Sequence, residues 1–220
     1  MGARLVILIS GRGRNLRALT EAVRDRRIDA ELVCVISNRA DAEGLAYARA
    51  AGIATEVVAH IDFTERSAFD AALAARLRTY APDIVALAGF MRVLGDDFVR
   101  EFAGRMLNIH PSLLPKYAGL QTHRRALAAG DAEHGATVHF VTPEVDGGAQ
   151  VIQGRLTLQP DDDEARLAER VMGEIELKIY PQAVAWMARG DLRLVDGAAV
   201  YKSRRLDQAL TMAQLEEAFR

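Results

Sequence analysis

Met106-Leu107-Asn108-Ile109-His110-Pro111 sets two polar side chains two residues apart in an apolar run. In an extended strand alternate residues share a face, so Asn108 and His110 project together while Leu107 and Ile109 point the other way. Pro111 has no N–H to continue a ladder, which puts the pair at the strand's carboxyl end, where open α/β sheets place ligands. An amide donor beside an imidazole can polarise a carbonyl and stabilise an oxyanion. A structural Asn next to a solvated His is the bland alternative; the shared face and the sheet edge favour chemistry.

Two further segments bear on that centre. Ser10-Gly11-Arg12-Gly13-Arg14-Asn15-Leu16 follows the apolar run Leu5 to Ile9 and opens a helical pattern. Its glycines let backbone N–H groups turn toward a ligand, and the helix start adds partial positive charge, a combination suited to phosphate. Leu16 stands where the dinucleotide fingerprint has its third glycine, and Ser37-Asn38-Arg39 ends the second strand with no acidic ribose ligand, so a phosphate monoester fits better than a dinucleotide. A tight βα turn that needs glycine for φ > 0 explains the same residues as well. In Val141-Thr142-Pro143-Glu144-Val145-Asp146-Gly147-Gly148, small neighbours would let the Asp146 carboxylate approach a substrate. If it met His110 it would raise the imidazole pKa and fix the ring. Read locally, Asp-Gly is a hairpin-turn signature, and that reading is the stronger one. His123, His134 and His139 lack a compact zinc spacing, with His134 read in a turn before Gly135 and His139 in an alternating strand, so no metal is expected.

The elements that must position these groups alternate. Short apolar strands are expected at Leu5 to Ile9, Glu31 to Ile36, Ala54 to Val58 and Ile84 to Ala88, separated by helices at Leu16 to Arg24, Glu43 to Ala51 and Ser67 to Tyr80. That pattern predicts an α/β, doubly wound, mostly parallel Rossmann-like sheet in a single domain. A short helix at Phe98 to Phe102, the strand Met106 to His110, a helix at Arg124 to Ala129 and strands at Ala136 to Val141 and Gln150 to Leu158 follow. Leu167, Val171, Ile175 and Ile179 predict a long helix capped by Asp162, with Pro181 interrupting or kinking it. A hairpin from Leu192 to Tyr201 and a last helix from Met212 to Phe219 complete the expectation.

The chain has 220 residues, 50% hydrophobic and 26% charged, with a formal charge of −2. So even a balance offers no field for nucleic acid or an acidic membrane, leaving small molecules as the expected partners of a monomer or homodimer. The single cysteine, Cys34, lies in an apolar run and reads as a small buried hydrophobe. With no secretory signal, no Ser or Thr at Val6 to complete a lipidation pattern and no apolar stretch of membrane-spanning length, the cytoplasm is the expected compartment.

In this order and spacing the segments resemble the phosphoribosylglycinamide formyltransferases of purine biosynthesis. The glycine-rich opening carries the likeness together with Leu87-Ala88-Gly89-Phe90-Met91-Arg92-Val93-Leu94, Asn108-Ile109-His110-Pro111-Ser112-Leu113-Leu114-Pro115-Lys116-Tyr117, His134-Gly135-Ala136-Thr137-Val138-His139-Phe140-Val141 and Asp146-Gly147-Gly148. It spans about residues 4 to 190, which suggests a catalytic domain over 1–190 and a carboxy-terminal extension, 191–220, packed on the same domain. The resemblance implies that 10-formyltetrahydrofolate, as co-substrate, donates its formyl group to the amine of 5′-phosphoribosylglycinamide without a metal. It also implies that Gly13, Arg14 and Asn15 hold the phosphate mainly through backbone N–H groups, that Gly89 lies along the substrate, and that Glu176 binds the ribose. Arg66, Met91, Arg92, Val93 and Leu94 would meet the folate, as would Asn108, with residues 138–146 closing around the pteridine. Asn108 and protonated His110 would hold the oxyanion, and Asp146 would keep His110 charged near neutral pH. Arg12 and Arg14 stand where relatives often carry Asn or Ser, Ala118 replaces a common proline, and Gln121 a frequent histidine. A formyltetrahydrofolate hydrolase would carry an additional amino-terminal domain, for which a loop at residue 10 leaves no room, and a methionyl-tRNA formyltransferase a basic carboxy-terminal domain. A non-catalytic nucleotide- or folate-binding module would not need the complete Asn-His-Asp set.

Overall fold

The computed structural model describes residues 2–220. Strands β1 (Ala3–Ile9), β2 (Ala30–Ser37), β3 (Thr55–Val57), β4 (Ile84–Leu87), β5 (Met106–His110), β6 (Glu133–Phe140) and β7 (Gln150–Thr157) alternate with helices in the first two-thirds of the chain. β8 (Leu192–Val195), β9 (Ala198–Tyr201) and β10 (Arg204–Arg205) form a small antiparallel sheet, and β11 (Leu210–Thr211) returns to β7. The main sheet has the order β11-β7-β6-β5-β4-β1-β2-β3. β3 through β5 run parallel, while β6 is antiparallel to both of its neighbours. The order reverses between β1 and β4, which opens a crevice above their carboxyl ends.

Alternation along β1 divides the core. Leu5, Ile7 and Ile9 face a large cluster with α1 (Arg14–Arg24) and the late helices. Val6 and Leu8 face a second cluster containing Cys34, Phe69 and Phe98. Being covered on both faces, the strand is apolar at every position from Leu5 to Ile9, all 0% exposed. The helices α2 (Glu43–Ala50), α3 (Arg66–Tyr80), α4 (Asp96–Glu101) and α5 (Thr122–Ala129) fall where the sequence places them, to within a few residues.

The late helical segment departs from expectation. Its cap is Asp163, whose side chain accepts from the Arg166 N–H. Asp162 instead accepts from the Gln159 N–H and from Arg170. α6 (Glu164–Val171) passes through a π turn, Met172–Glu176, into α7 (Leu177–Ala188), which contains Pro181 without breaking. Strict four-residue spacing drifts about 40° per step around an α-helix. The wider turn slows that drift, and Leu167, Val171, Ile175 and Ile179 all stay buried, at most 1% exposed. The expected last helix is two 3-10 turns, Met212–Gln214 and Glu217–Phe219, with Leu215 extended between them. Leu215 and Phe219 reach the core, and eight residues sustain no helix when tertiary contacts favour another path. Among the described residues no helix is long and apolar enough to cross a membrane.

Candidate active site at the carboxyl edge of the sheet

β5 ends at His110, and Asn108 and His110 both point to the crevice side. The antiparallel register sets Asn108 opposite His139 and His110 opposite Thr137. His139 Nδ1 lies 2.9 Å from the Phe140 carbonyl, and its Nε2 lies 3.2 Å from the Asn108 amide nitrogen. Thr137 holds the segment after β5: its hydroxyl donates to the Ser112 carbonyl and accepts from the Leu114 N–H. The pair thus rests on a strapped strand end.

Asp146 reaches this pair. Its Oδ2 lies 3.3 Å from His110 Nδ1 and its Oδ1 3.6 Å from His139 Nε2, and Oδ2 accepts the Gly119 N–H at 2.8 Å. Asp146 takes φ 54°, turning its side chain inward from the β6–β7 loop. A Cβ on Gly148 would sit 1.8 Å from the Phe140 carbonyl oxygen, so this glycine lets the loop press against β6. The loop joins the antiparallel β6 and β7, as the local hairpin reading expects, and it also delivers a carboxylate. Burial acts to raise the Asp146 pKa, but the His139 contact, the Gly119 N–H and the charge of His110 outweigh it and hold the group below its ordinary value.

His110 is 6% exposed. Its Nε2 lies 2.9 Å from the Tyr117 carbonyl, so both ring nitrogens face acceptors and only the protonated ring donates to both. Burial nevertheless dominates: it lowers the pKa by more than the Tyr117 carbonyl and Asp146 raise it, leaving His110 below its usual value. This corrects the expectation that Asp146 keeps the ring charged near neutral pH, because desolvation of the cation is the larger effect. His134 is also corrected: it lies within β6, paired with Leu156, and its Nε2 lies 3.1 Å from His123 Nδ1.

The glycine loop caps α1 without a side chain. Gly13 has φ 75°, and its carbonyl accepts the Arg17 N–H. A Cβ there would meet the Gly44 backbone at 3.0 Å. The uncapped amides of the first turn face a cavity of about 420 Å³ bounded by residues 10–15 with Asn38, Arg39, His60, Ala88, Gly89, Met91 and Arg92. Ser10 ties its walls together, donating to Asn38 Oδ1 at 2.6 Å and accepting the Met91 N–H at 2.7 Å. Gly89, at φ 74°, has open space where a Cβ would be, so backbone alone forms that wall. Asn15 donates to Glu176 at 2.7 Å. Glu176 sits in the π turn, 5% exposed, and burial pushes its pKa up to about 6 against the Asn15 bond and the charge of Arg14. One turn on, the Tyr180 hydroxyl contacts the Leu87 and Leu107 carbonyls at 2.9 and 3.0 Å, bridging β4 and β5 beneath Gly89 and Asn108.

Met91 and Val93 stand 68% and 52% exposed, whereas the Leu94 side chain is buried and anchors their loop from below. Asp70 fixes the loop's end by accepting the Gly95 N–H at 2.8 Å. Arg66 begins α3 beside this contact, and Arg92 lies over the Phe69 ring at 5.6 Å. The loop after β5 is shaped by left-handed residues, Tyr117, Gly119 and Gln121. The residues that sequence reasoning missed are His139, which orients Asn108 and Asp146, and Asn38 and Ser10, which brace the cavity. The alternating pattern of β6 placed His139 on a strand face, but only the register shows what it faces.

Comparison with known proteins agrees with this arrangement. The formyl transferase family model matches residues 3–184. The chain is 48% identical to the phosphoribosylglycinamide formyltransferase of Escherichia coli (strain K12), covering 92% of this chain and 95% of that one. It is 44% identical to the protein of the same name from Haemophilus influenzae, over 94% of this chain and 97% of the relative. The structure of the phosphoribosylglycinamide formyltransferase from Coxiella burnetii superposes with a TM-score of 0.90 at 43% identity, covering 96% of this chain and all of that one. The chain belongs to the formyl transferase family, in the branch of the phosphoribosylglycinamide formyltransferases.

Proposed function

We propose that the chain moves the formyl group of 10-formyltetrahydrofolate onto the amine of 5′-phosphoribosylglycinamide, giving formylglycinamide ribonucleotide and tetrahydrofolate in purine biosynthesis. The observation that carries this reading is the Asp146 carboxylate 3.3 Å from His110, beside Asn108 at the sheet edge. The amine attacks the formyl carbon, and the oxygen becomes an oxyanion that Asn108 and protonated His110 receive. Negative charge developing beside a buried imidazole raises its proton affinity, so the ring takes a proton from water as the oxyanion forms. It returns that proton when the oxyanion collapses and the bond from the formyl carbon to the folate nitrogen breaks. Asp146 holds the ring and helps organise water that carries the amine's proton to the departing folate nitrogen.

The remaining groups divide between the two substrates. The Gly13–Asn15 amides take the phosphate and Glu176 the ribose hydroxyls, with Gly89 bare so that the substrate lies close. Arg66, Arg92 and the exposed Met91 and Val93 offer charge and apolar surface to the folate, with the backbone at Leu94 and the 138–146 stretch completing that side. Neither substrate requires a metal in this scheme. The test is an assay in chelator-treated buffer: formation of formylglycinamide ribonucleotide and tetrahydrofolate in equal amounts supports the reading. Formate released independently of the amine would assign a hydrolase instead, and ligand binding without turnover a binding module.

A further inference from the structure

Arg14 is the first residue of α1, at the end of the glycine loop, and the structure shows what its side chain does. It lines the cavity beside the uncapped amides of α1. Its guanidinium is turned to Glu169 on α6, with Nη1 at 2.6 and 2.7 Å from the two carboxylate oxygens. Nε and Nη2 have no hydrogen-bond partner among the described residues. The neighbouring residue, Asn15, is bonded to Glu176. Adjacent positions on α1 are thus tied to two carboxylates of the same helical segment, yet the ties differ in kind. The Asn15–Glu176 bond is buried. The Arg14 and Glu169 side chains are 36% and 64% exposed, so water screens their attraction and the pair is readily exchanged. A phosphate monoester carries more negative charge than a carboxylate and matches the same guanidinium fork.

We propose that Glu169 is a competing anion for Arg14: the substrate phosphate, on reaching the Gly13–Asn15 amides, displaces the carboxylate and takes the guanidinium. Glu169 thereby sets how tightly the phosphate is held and receives Arg14 again when the product leaves. This rests on the assignment of the glycine loop as the phosphate site. It makes Glu169 a determinant of substrate affinity that never touches the substrate.

The experiment compares wild type, Glu169→Gln, Arg14→Ser and the double variant, reading KM for phosphoribosylglycinamide and inhibition by inorganic phosphate. Glu169→Gln is expected to lower KM and the phosphate inhibition constant together, by up to about fivefold, the range of one exposed ion pair. Arg14→Ser raises both, and adding Glu169→Gln to it changes neither. A Glu169→Gln effect that persists without Arg14 would reveal long-range charge and overturn the exchange. A raised KM in Glu169→Gln would also overturn it, because the carboxylate would then be propping Arg14 in its binding position. Phosphate competing equally with all four proteins defeats the exchange alone. Phosphate competing with none, wild type included, defeats the phosphate-loop assignment itself.

Discussion

At the scale of single residues, the reactive centre is a contest between desolvation and charge. His110 and Asp146 share a buried contact of 3.3 Å, and burial still leaves the imidazole below its usual pKa. The ring therefore depends on its partners when it must carry charge. Replacing His110 by Ala or Asp146 by Asn should lower kcat by two to three orders of magnitude, about 3–4 kcal/mol of barrier, with little change in KM. A wild-type kcat in Asp146→Asn would remove the carboxylate from the scheme. Glu176 illustrates a cost accepted for binding. Its carboxyl titrates near 6 in the folded chain, above its ordinary 4.5. The folded state holds that proton more tightly, so stability falls as pH rises from 4.5 to 6 and stays lower above it, by about 2 kcal/mol. Glu176→Gln should raise the melting temperature at pH 7.5, lose that advantage below pH 4.5, and raise KM for the phosphorylated amine. Melts at the two pH values and one KM measurement check this. Asn108 and His110 were legible from strand periodicity alone. The contact of Asp146 was not, because it depends on a left-handed residue in a loop whose local signature is an ordinary turn.

At the scale of elements, β6 is the member that joins catalytic geometry to stability. It carries His139 opposite Asn108, Thr137 under the loop after β5, and His134 against His123 of α5. Burial, with the neighbouring His123, depresses His134 to about 4. An imidazole depressed from its ordinary 6.5 is neutral in the fold but takes a proton when the chain unfolds. Stability from this residue is therefore full above pH 6.5 and is lost as pH falls toward 4. Thermal melts between pH 7 and 4 should show that decline, and His134→Gln should flatten it; an equally steep decline in the variant would place the acid sensitivity elsewhere. The parallel strands could be read from continuous apolar runs because both faces of each are covered. The segment after Leu210 could not, because its apolar residues answer to distant partners. Leu215 and Phe219 meet the core, and the backbone N–H of Glu216 donates to Gln182 while its carboxylate accepts from Trp186. The π turn was equally hidden: it is needed only because Ile175 must stay inward while Glu176 faces Asn15.

At the scale of the whole molecule, four of the chain's cationic side chains gather at one place. Arg12, Arg14, Arg39 and Arg92 all border one cavity of a protein whose formal charge is −2. That asymmetry gives an anionic substrate a local field despite the balanced total. The last residues close the opposite side, where β11 pairs with Ile152 and Gln153 of β7. Removing residues 207–220 should leave the phosphate cavity intact but lower the melting temperature by several degrees, since Leu215 and Phe219 leave the core. An unchanged melt would show that the tail merely lies on the surface. The two residues of β11 also carry a consequence for solubility. Among the described residues they are the only strand partner on the outer side of β7, whose N–H and C=O groups would otherwise form an open template for a strand of another molecule. Selection on this tail would then act through the concentration at which the protein stays dispersed, with catalysis scarcely involved.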